Sequence, residues 1–140
     1  MNRCSQFLAS LVMVLSGCAT TPPASLYAQL GEQAGVERLV DAIIVEVKAS
    51  DSFDDLFAQT DFPYFRERLI EQICQISGGP CEYTGLPMED AHSGMNISES
   101  EFTAFVEDVE LAMRKIKLPL QTQNRLLARF AAMRAEVIRM

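Results

Sequence analysis

Residues 36–47 of this 140-residue chain read VERLVDAIIVEV. The apolar side chains recur at the spacing i, i+3, i+4, i+7, i+8 and i+11, and they are Val36, Leu39, Val40, Ile43, Ile44 and Val47. This spacing places them on one stripe of an α-helix and does not fit a strand, whose sides alternate every second residue. The stretch therefore predicts an amphipathic helix with one buried face.

Three later segments repeat this spacing, and the residues at their ends fit helix boundaries. Asp61, with a proline two residues on, predicts the start of a second long helix, and the glycine pair at 78–79 predicts its end. Ser98, with a glutamate three residues on, forms a capping box that opens a third helix. Pro119 starts the last helix, whose apolar stripe runs to Val137. No segment alternates with period two, so the sequence predicts an all-α fold.

Composition narrows the class of protein. Hydrophobic residues make up 49% and charged residues 22%, which fits one globular domain. Twelve basic residues against nineteen acidic ones give a net charge of −7, which repels a phosphate backbone, so nucleic acid is not an expected partner. One histidine, His92, and four cysteines limit metal chemistry, because a zinc site needs three or four clustered nitrogen or sulfur ligands.

The N-terminal residues resemble a targeting signal. An apolar run too short to span a bilayer follows one arginine, and residues 15–18 read LSGC. This tetrapeptide resembles the lipobox of bacterial lipoprotein signal peptides, in which the cysteine is lipidated and becomes the first mature residue. The expected division is a signal peptide at 1–17, lipidated Cys18 with a tether at 18–25, and a folded domain at 26–140.

The lipobox resemblance implies an exported protein held on the periplasmic side of a bacterial membrane. Each buried CH₂ of an acyl chain contributes roughly 0.8 kcal/mol to such anchoring. Ala19 follows the cysteine where an aspartate would favour retention in the inner membrane, so the outer membrane is favoured. Cys4 lies in the expected signal peptide and has no role in the mature domain.

The remaining cysteines, Cys74 and Cys81, lie seven residues apart on either side of the glycine pair. Export favours oxidation of cysteines. A disulfide closing this short loop would stabilise the fold by about 2.5 kcal/mol through chain entropy. The alternative is two small buried thiols, and we place the disulfide slightly ahead.

The middle of the domain, residues 78–96, shows almost no helical pattern, yet it contains the only histidine. Large apolar side chains flank it, and they are Phe57, Phe65, Tyr83, Met88 and Phe102. A flat apolar cofactor held by one imidazole would explain a long loop in a small helical domain. From the pattern alone, a lone histidine near apolar residues is more often structural or exposed than a metal ligand.

Short motifs along the domain resemble the group I truncated haemoglobins, whose fold is a 2-over-2 sandwich of two helix pairs crossed over a haem b. In order they are LYAQLG at 26–31, LFAQTD at 56–61, GGP at 78–80, YTG at 83–85 and GMNIS at 94–98. The resemblance covers residues 26 to about 137. It implies that His92 is the proximal ligand of the haem iron and that Phe57 packs against the porphyrin.

Other features around His92 sharpen this expectation. The carbonyl of Met88, one turn earlier, is the expected acceptor for the second ring nitrogen of His92. The motif CxxCH is absent, so the haem b is expected to be non-covalently bound. Since the chain has one histidine, a second imidazole ligand is impossible, and the sixth position of the iron is expected to take water or a diatomic gas.

The opposite, distal side of the expected haem departs from the family. Many group I members carry a tyrosine in the first long helix that bonds oxygen, and Ile44 occupies the matching position. The facing residues Phe65 and Leu69 are also apolar, and one lost hydrogen bond of about 1.5–3 kcal/mol predicts weaker oxygen retention. Gln72 is the one neutral donor expected near the pocket, with a solvated position as its alternative. Arg68 is expected to reach toward a haem propionate or solvent.

Three functions remain open. The first is a membrane-tethered haem protein that binds oxygen or another diatomic gas reversibly, as a carrier, scavenger or sensor. The second is a nitric oxide dioxygenase, which would need a separate reductase because the chain has no GxGxxG fingerprint for flavin or nicotinamide. The third is a non-haem helical lipoprotein that acts as an interaction module and shows no Soret absorbance.

Overall fold

The computed structural model describes residues 24–138, except for the side chains of residues 53–55. The expected signal peptide, Cys4 and Cys18 lie outside this part of the chain. The described part contains helices and no strand, which confirms the all-α class. Its α-helices are α1 (Leu26–Leu30), α2 (Glu32–Ala49), α3 (Asp54–Phe57), α4 (Phe62–Ile76), α5 (Met88–Ala91), α6 (Glu99–Lys115) and α7 (Leu120–Ala132), with 3₁₀ turns at Asp51–Phe53 and Arg134–Glu136. Within 24–138, no helix is both long and apolar enough to cross a bilayer.

Helix boundaries follow the predicted capping residues. The Oδ1 atom of Asp61 accepts a hydrogen bond from the backbone N–H of Tyr64 at 3.1 Å. The hydroxyl of Ser98 accepts from the N–H of Glu101 at 3.2 Å, and the Glu101 carboxylate accepts from the N–H of Ser98 at 2.7 Å. These bonds satisfy backbone donors that a helix start would leave free. Gly78 turns the chain after α4 with a φ of +83°.

Two boundaries differ from the predicted ones. A short helix, α1, precedes α2, and Gly31 separates the two with a φ of +95°. At the other end α7 stops at Ala132, and Val137 follows a 3₁₀ turn instead of lying on the last helix. The apolar stripe continues beyond the α-helix because Met133 and Val137 still face an interior surface.

The core forms where α2 packs against α4 and α6. The predicted stripe of α2 is buried apart from Ile44, which is half-buried at its edge. Its partners include Leu69 and Ile73 of α4 and Met113 of α6. This packing uses one face of α4. Another face of the helix therefore borders a space outside the core.

One edge of the contact between α2 and α6 is charged. Lys115 Nζ lies 2.7 and 2.8 Å from the two carboxylate oxygens of Glu46, which is 6% exposed. On α6, Asp108 Oδ2 is buried without a hydrogen-bond partner in the described structure. Burial raises the pKa of Asp108, a hydrogen bond with Ser50 opposes that rise, and the charge of Glu46 adds to it.

Candidate functional site

A cavity of about 370 Å³ lies between α4, the segment that carries α5, α6 and the end of α7. Most of the side chains around it are apolar, and five phenylalanines take part, namely Phe57, Phe65, Phe102, Phe105 and Phe130. Tyr64 and Leu86 also line it and are more than half exposed, so they mark the side on which it opens to solvent. Its size and lining are typical of a site for a bulky, mainly apolar ligand.

The predicted haem-contacting residues meet at this cavity, with one exception. Those that line it are Phe57, Phe65, Arg68, Leu69, Gln72, Tyr83, Met88, His92 and Phe102. Ile44 does not line it and packs at the edge of the core instead. The first long helix therefore supplies no polar group to the cavity at that position.

His92 directly follows α5, and one hydrogen bond fixes its ring. Its Nδ1 atom lies 2.8 Å from the carbonyl oxygen of Met88, the acceptor expected from the sequence. Since a carbonyl only accepts, Nδ1 must carry the proton, and in the neutral ring Nε2 then carries the lone pair. A neutral imidazole in this tautomer is a good ligand for iron.

Aromatic rings brace the wall at the start of α4. The ring centres of Phe57 and Phe65 lie 5.5 Å apart in an edge-to-face arrangement, and Phe62 stacks on Phe57 at 6.1 Å. Lys48 Nζ lies 4.0 Å from the centre of the Phe62 ring. Each such ring pair adds about 0.5–1.5 kcal/mol beyond area burial, so this wall is held in a fixed shape.

Gln72 points its amide into the cavity region. Its Nε2 atom lies 2.8 Å from Met88 Sδ and 3.6 Å from Met133 Sδ. The side chain is therefore half-buried and bonded to thioethers rather than solvated. A thioether is a weak hydrogen-bond acceptor. Its role as a donor to a gas stays a prediction.

Arg68 is held at the cavity mouth by acidic neighbours. One terminal nitrogen lies 3.0 Å from both Glu67 and Glu71, and the other donates to the hydroxyl of Thr84. Its Nε atom is buried and has no hydrogen-bond partner within the described residues. Beside it, burial raises the pKa of Tyr83, so that phenol stays protonated at neutral pH.

Cys74 and Cys81 are joined in a disulfide with a Cα–Cα distance of 5.8 Å. Cys74 is fully buried on α4, and Cys81 lies in the first half of the loop that leads to α5. The disulfide therefore ties the beginning of this loop to the helix that forms one wall of the cavity.

Several lining residues were not predicted from the sequence. They include Leu56, Tyr64, Leu86, Met95, Ile97, Phe105, Phe130, Met133 and Val137. Phe105, Phe130 and Met133 belong to apolar helix stripes, and periodicity does not distinguish a core face from a cavity wall. Tyr64 and Leu86 lie on the rim and belong to no stripe, so no sequence signal pointed to them.

An all-helical domain that surrounds an apolar, aromatic-lined cavity, with one imidazole directed by a backbone carbonyl, has the architecture of a globin. The bacterial-like globin family matches residues 25–139, and the chain belongs to this family.

Group 1 truncated haemoglobins are among its relatives. The chain is 26% identical over 124 residues to one from Mycolicibacterium paratuberculosis, covering 89% of this chain and 91% of the relative. It is 32% identical over 89 residues to one from a Nostoc species, covering 64% and 75% of the two chains.

Solved structures share the fold. The truncated haemoglobin of Tetrahymena pyriformis, in its Fe(III) form, superposes with a TM-score of 0.80 at 21% identity, over 84% of this chain and 100% of that one. A 2/2 haemoglobin from Synechococcus with covalently attached haem gives a TM-score of 0.77 at 21% identity, over 82% and 98%. The described domain therefore has the 2/2 fold of truncated haemoglobins, with two helix pairs crossed over one another.

The family implies a haem, and the residues at the cavity fit one. His92 offers a nitrogen lone pair, and the apolar walls suit a flat macrocycle. Arg68 lies at the cavity mouth, and its buried Nε has no hydrogen-bond partner among the described residues. An acidic substituent of the macrocycle could accept a hydrogen bond from it.

Proposed function

We propose that this protein is a membrane-tethered haem protein that reversibly binds a diatomic gas at a five-coordinate iron. The observation that supports it most strongly is the imidazole of His92 at the apolar cavity, directed by its 2.8 Å hydrogen bond to Met88. When bound, haem b would supply an iron that His92 can hold and that can bind a diatomic gas.

Within this proposal each residue has a physical task. His92 Nε2 holds the iron, and the Met88 carbonyl keeps the proton on Nδ1 and the ring in one orientation. Phe57, Phe65 and Phe102 exclude water from the gas site and pack on the macrocycle. Because the chain lacks CxxCH, and because Cys74 and Cys81 are paired with each other, we propose non-covalent retention.

The α4 wall favours gases that do not depend on a hydrogen bond. Phe65 and Leu69 are apolar, Ile44 does not reach the cavity, and the Gln72 amide is bonded to Met88 Sδ. A site without a ready donor holds oxygen weakly relative to carbon monoxide or nitric oxide. We infer that oxygen leaves this site faster than it leaves group I members with a distal tyrosine.

Gas dissociation rates test this assignment. Leu69→Gln places an amide donor on a residue that lines the cavity, and we expect it to slow oxygen release about tenfold or more, since one such bond is worth about 1.5–3 kcal/mol. Gln72→Leu should change the rate less than about threefold, because its amide already has an acceptor. Gln121→Leu, at an exposed position on α7, serves as the control. Slow oxygen release in the wild type, together with fast release in Gln72→Leu, would contradict the assignment and make Gln72 the donor.

Tethering has its own test. We propose that the protein is exported, that Cys18 is acylated, and that the mature domain lies on the periplasmic side of a bacterial membrane, with the outer membrane favoured. The full chain should partition with membranes and incorporate a labelled fatty acid. Cys18→Ser should abolish both, whereas Cys4→Ser should still incorporate the label. Labelling that persists in Cys18→Ser would overturn the anchor.

A further inference from the structure

The loop between α4 and α5, residues 77–87, is fastened to α4 near the cavity mouth. Three of the contacts that do this come from residues on the last two turns of the helix. They are the disulfide of Cys74 with Cys81, the hydrogen bond from Tyr83 N to Gln75 Oε1 at 2.7 Å, and the hydrogen bond from Thr84 N to Glu71 Oε2 at 2.9 Å.

The carboxylate of Glu71 bonds a residue of the loop and a residue of α4 at the same time. It accepts from the hydroxyl of Thr84 at 3.0 Å as well as from its N–H. It also lies 3.0 Å from one terminal nitrogen of Arg68, and the other terminal nitrogen of Arg68 donates to the Thr84 hydroxyl. The three residues form a closed set of contacts, the Arg68–Glu71–Thr84 triangle. Arg68 and the neighbouring Tyr83 both line the cavity.

The groups around Glu71 favour the charged form of its carboxylate. The hydrogen bonds from Thr84 and the charge of Arg68 hold the pKa of Glu71 below its usual range. The side chain of Glu71 is 22% exposed, whereas that of Glu67, which also contacts Arg68 at 3.0 Å, is 65% exposed. Among the described residues, Glu67 pairs with Arg68 and forms no hydrogen bond or ion pair with the loop. Both carboxylates therefore pair with the arginine, but of the two only Glu71 also bonds the loop.

This side of the cavity is where a flat ligand would pass. Tyr64 on α4 and Leu86 on the loop line the cavity and are 56% and 59% exposed. A macrocycle that leaves on this side passes the loop, so the contacts between the loop and α4 oppose its release. Breaking the triangle removes charge-assisted bonds, which are stronger than neutral ones.

We propose that Glu71 is a positioning residue that sets how firmly the cavity retains its cofactor, because it holds Arg68 and the Tyr83–Thr84 segment at the mouth. The inference rests on the proposed haem binding. Neutralising Glu71 should free the loop locally, without disturbing the contact between α2 and α6, and the cofactor should then escape faster.

The first experiment measures haemin transfer from the reconstituted protein to excess apomyoglobin. Glu71→Gln should lose haemin about tenfold faster than the wild type, and Glu67→Gln should stay within about twofold of it. Thr84→Val keeps the charge and the backbone N–H, and should give an intermediate rate. Equal rates for Glu71→Gln and Glu67→Gln would overturn the inference. A wild type that takes up no haemin would instead defeat the proposed function.

A second readout does not depend on the cofactor. In the haem-free protein, amide hydrogen exchange at Thr84 should accelerate about tenfold in Glu71→Gln, while the amides of α2 keep their wild-type protection. A general loss of stability would accelerate both sets. Unchanged exchange at Thr84, or equal acceleration in α2, would show that Glu71 does not hold the loop.

Discussion

The contact between α2 and α6 and the wall of the cavity use similar apolar side chains but bury them to different extents. At the contact, Leu39, Ile43 and Met113 are fully buried. Around the cavity, Phe65 and Phe102 are half-buried. Helix packing alone accounts for the first region, whereas the second is shaped by a loop, a disulfide and hydrogen bonds. An apolar stripe therefore identifies an interior helix face without telling whether that face meets another helix or a ligand.

Truncating one side chain in each region should give the largest contrast. Ile43→Ala should lower the free energy of unfolding of the haem-free protein by about 3 kcal/mol, because it leaves a void in close packing. Phe102→Ala should cost about 1 kcal/mol, since it removes a half-buried ring from a cavity edge. Urea denaturation measures both. Equal losses would mean that the cavity wall is packed as tightly as the contact between α2 and α6.

Removing the disulfide should have the second largest effect on stability, and this bond belongs to the cavity region. The double substitution of Cys74 and Cys81 by alanine should lower the free energy of unfolding by about 2.5 kcal/mol, through the entropy of the opened loop. A reductant should weaken the wild type and leave the double variant unchanged. Alkylation followed by mass spectrometry, with and without reductant, checks the pairing. Two alkylated thiols without reductant would contradict it.

The ion pair tests the charged edge of the contact between α2 and α6. Lys115→Met should cost about 1–2 kcal/mol, because it leaves the nearly buried Glu46 without its partner; the half-exposed lysine keeps the cost below that of a fully buried pair. In the wild type, Arg114 forms an exposed ion pair with Glu110. Arg114→Met should therefore change the free energy of unfolding by less than about 0.5 kcal/mol. Similar losses in the two variants would show that burial of Glu46 has no energetic consequence.

Asp108 gives the smallest expected effect, and it depends on pH. Its pKa is raised in the folded state, so the folded protein binds this proton more tightly than the unfolded chain does. This residue therefore stabilises the fold below its unfolded pKa and progressively less as pH rises through the folded one. Asp108→Asn should raise stability at pH 7 by about 0.5–1 kcal/mol and leave it unchanged near pH 3. A loss of stability at pH 7 in Asp108→Asn would contradict the raised pKa of Asp108.

The sequence predicts the long helices well because their signals are local. Asp61 and Ser98 cap within three residues of their own position, and the stripe of α2 lies within one helix. The helix α1 escaped prediction because five residues hold too few repeats to show a period. The predicted end of α7 was wrong because the apolar spacing continues through a 3₁₀ turn.

The site follows the same rule. Met88 and His92 lie one turn apart, so their hydrogen bond could be expected from spacing alone. The contacts of Arg68 with Thr84 and of Gln72 with Met88 could not be expected in this way. The two residues of each pair are sixteen positions apart and meet only because of the path of the loop. Residues on the rim, such as Leu86, depend on the same path. Only local contacts at the site were accessible from the sequence.

The most direct test of the central claim is the absorption spectrum of the haemin-reconstituted protein beside that of His92→Ala. We predict that the wild type binds one equivalent of haemin, shows a Soret band, and after reduction takes up carbon monoxide with the spectrum of an imidazole-ligated iron. His92→Ala should lose that spectrum, and added imidazole should restore it. An unchanged spectrum in His92→Ala would contradict the account.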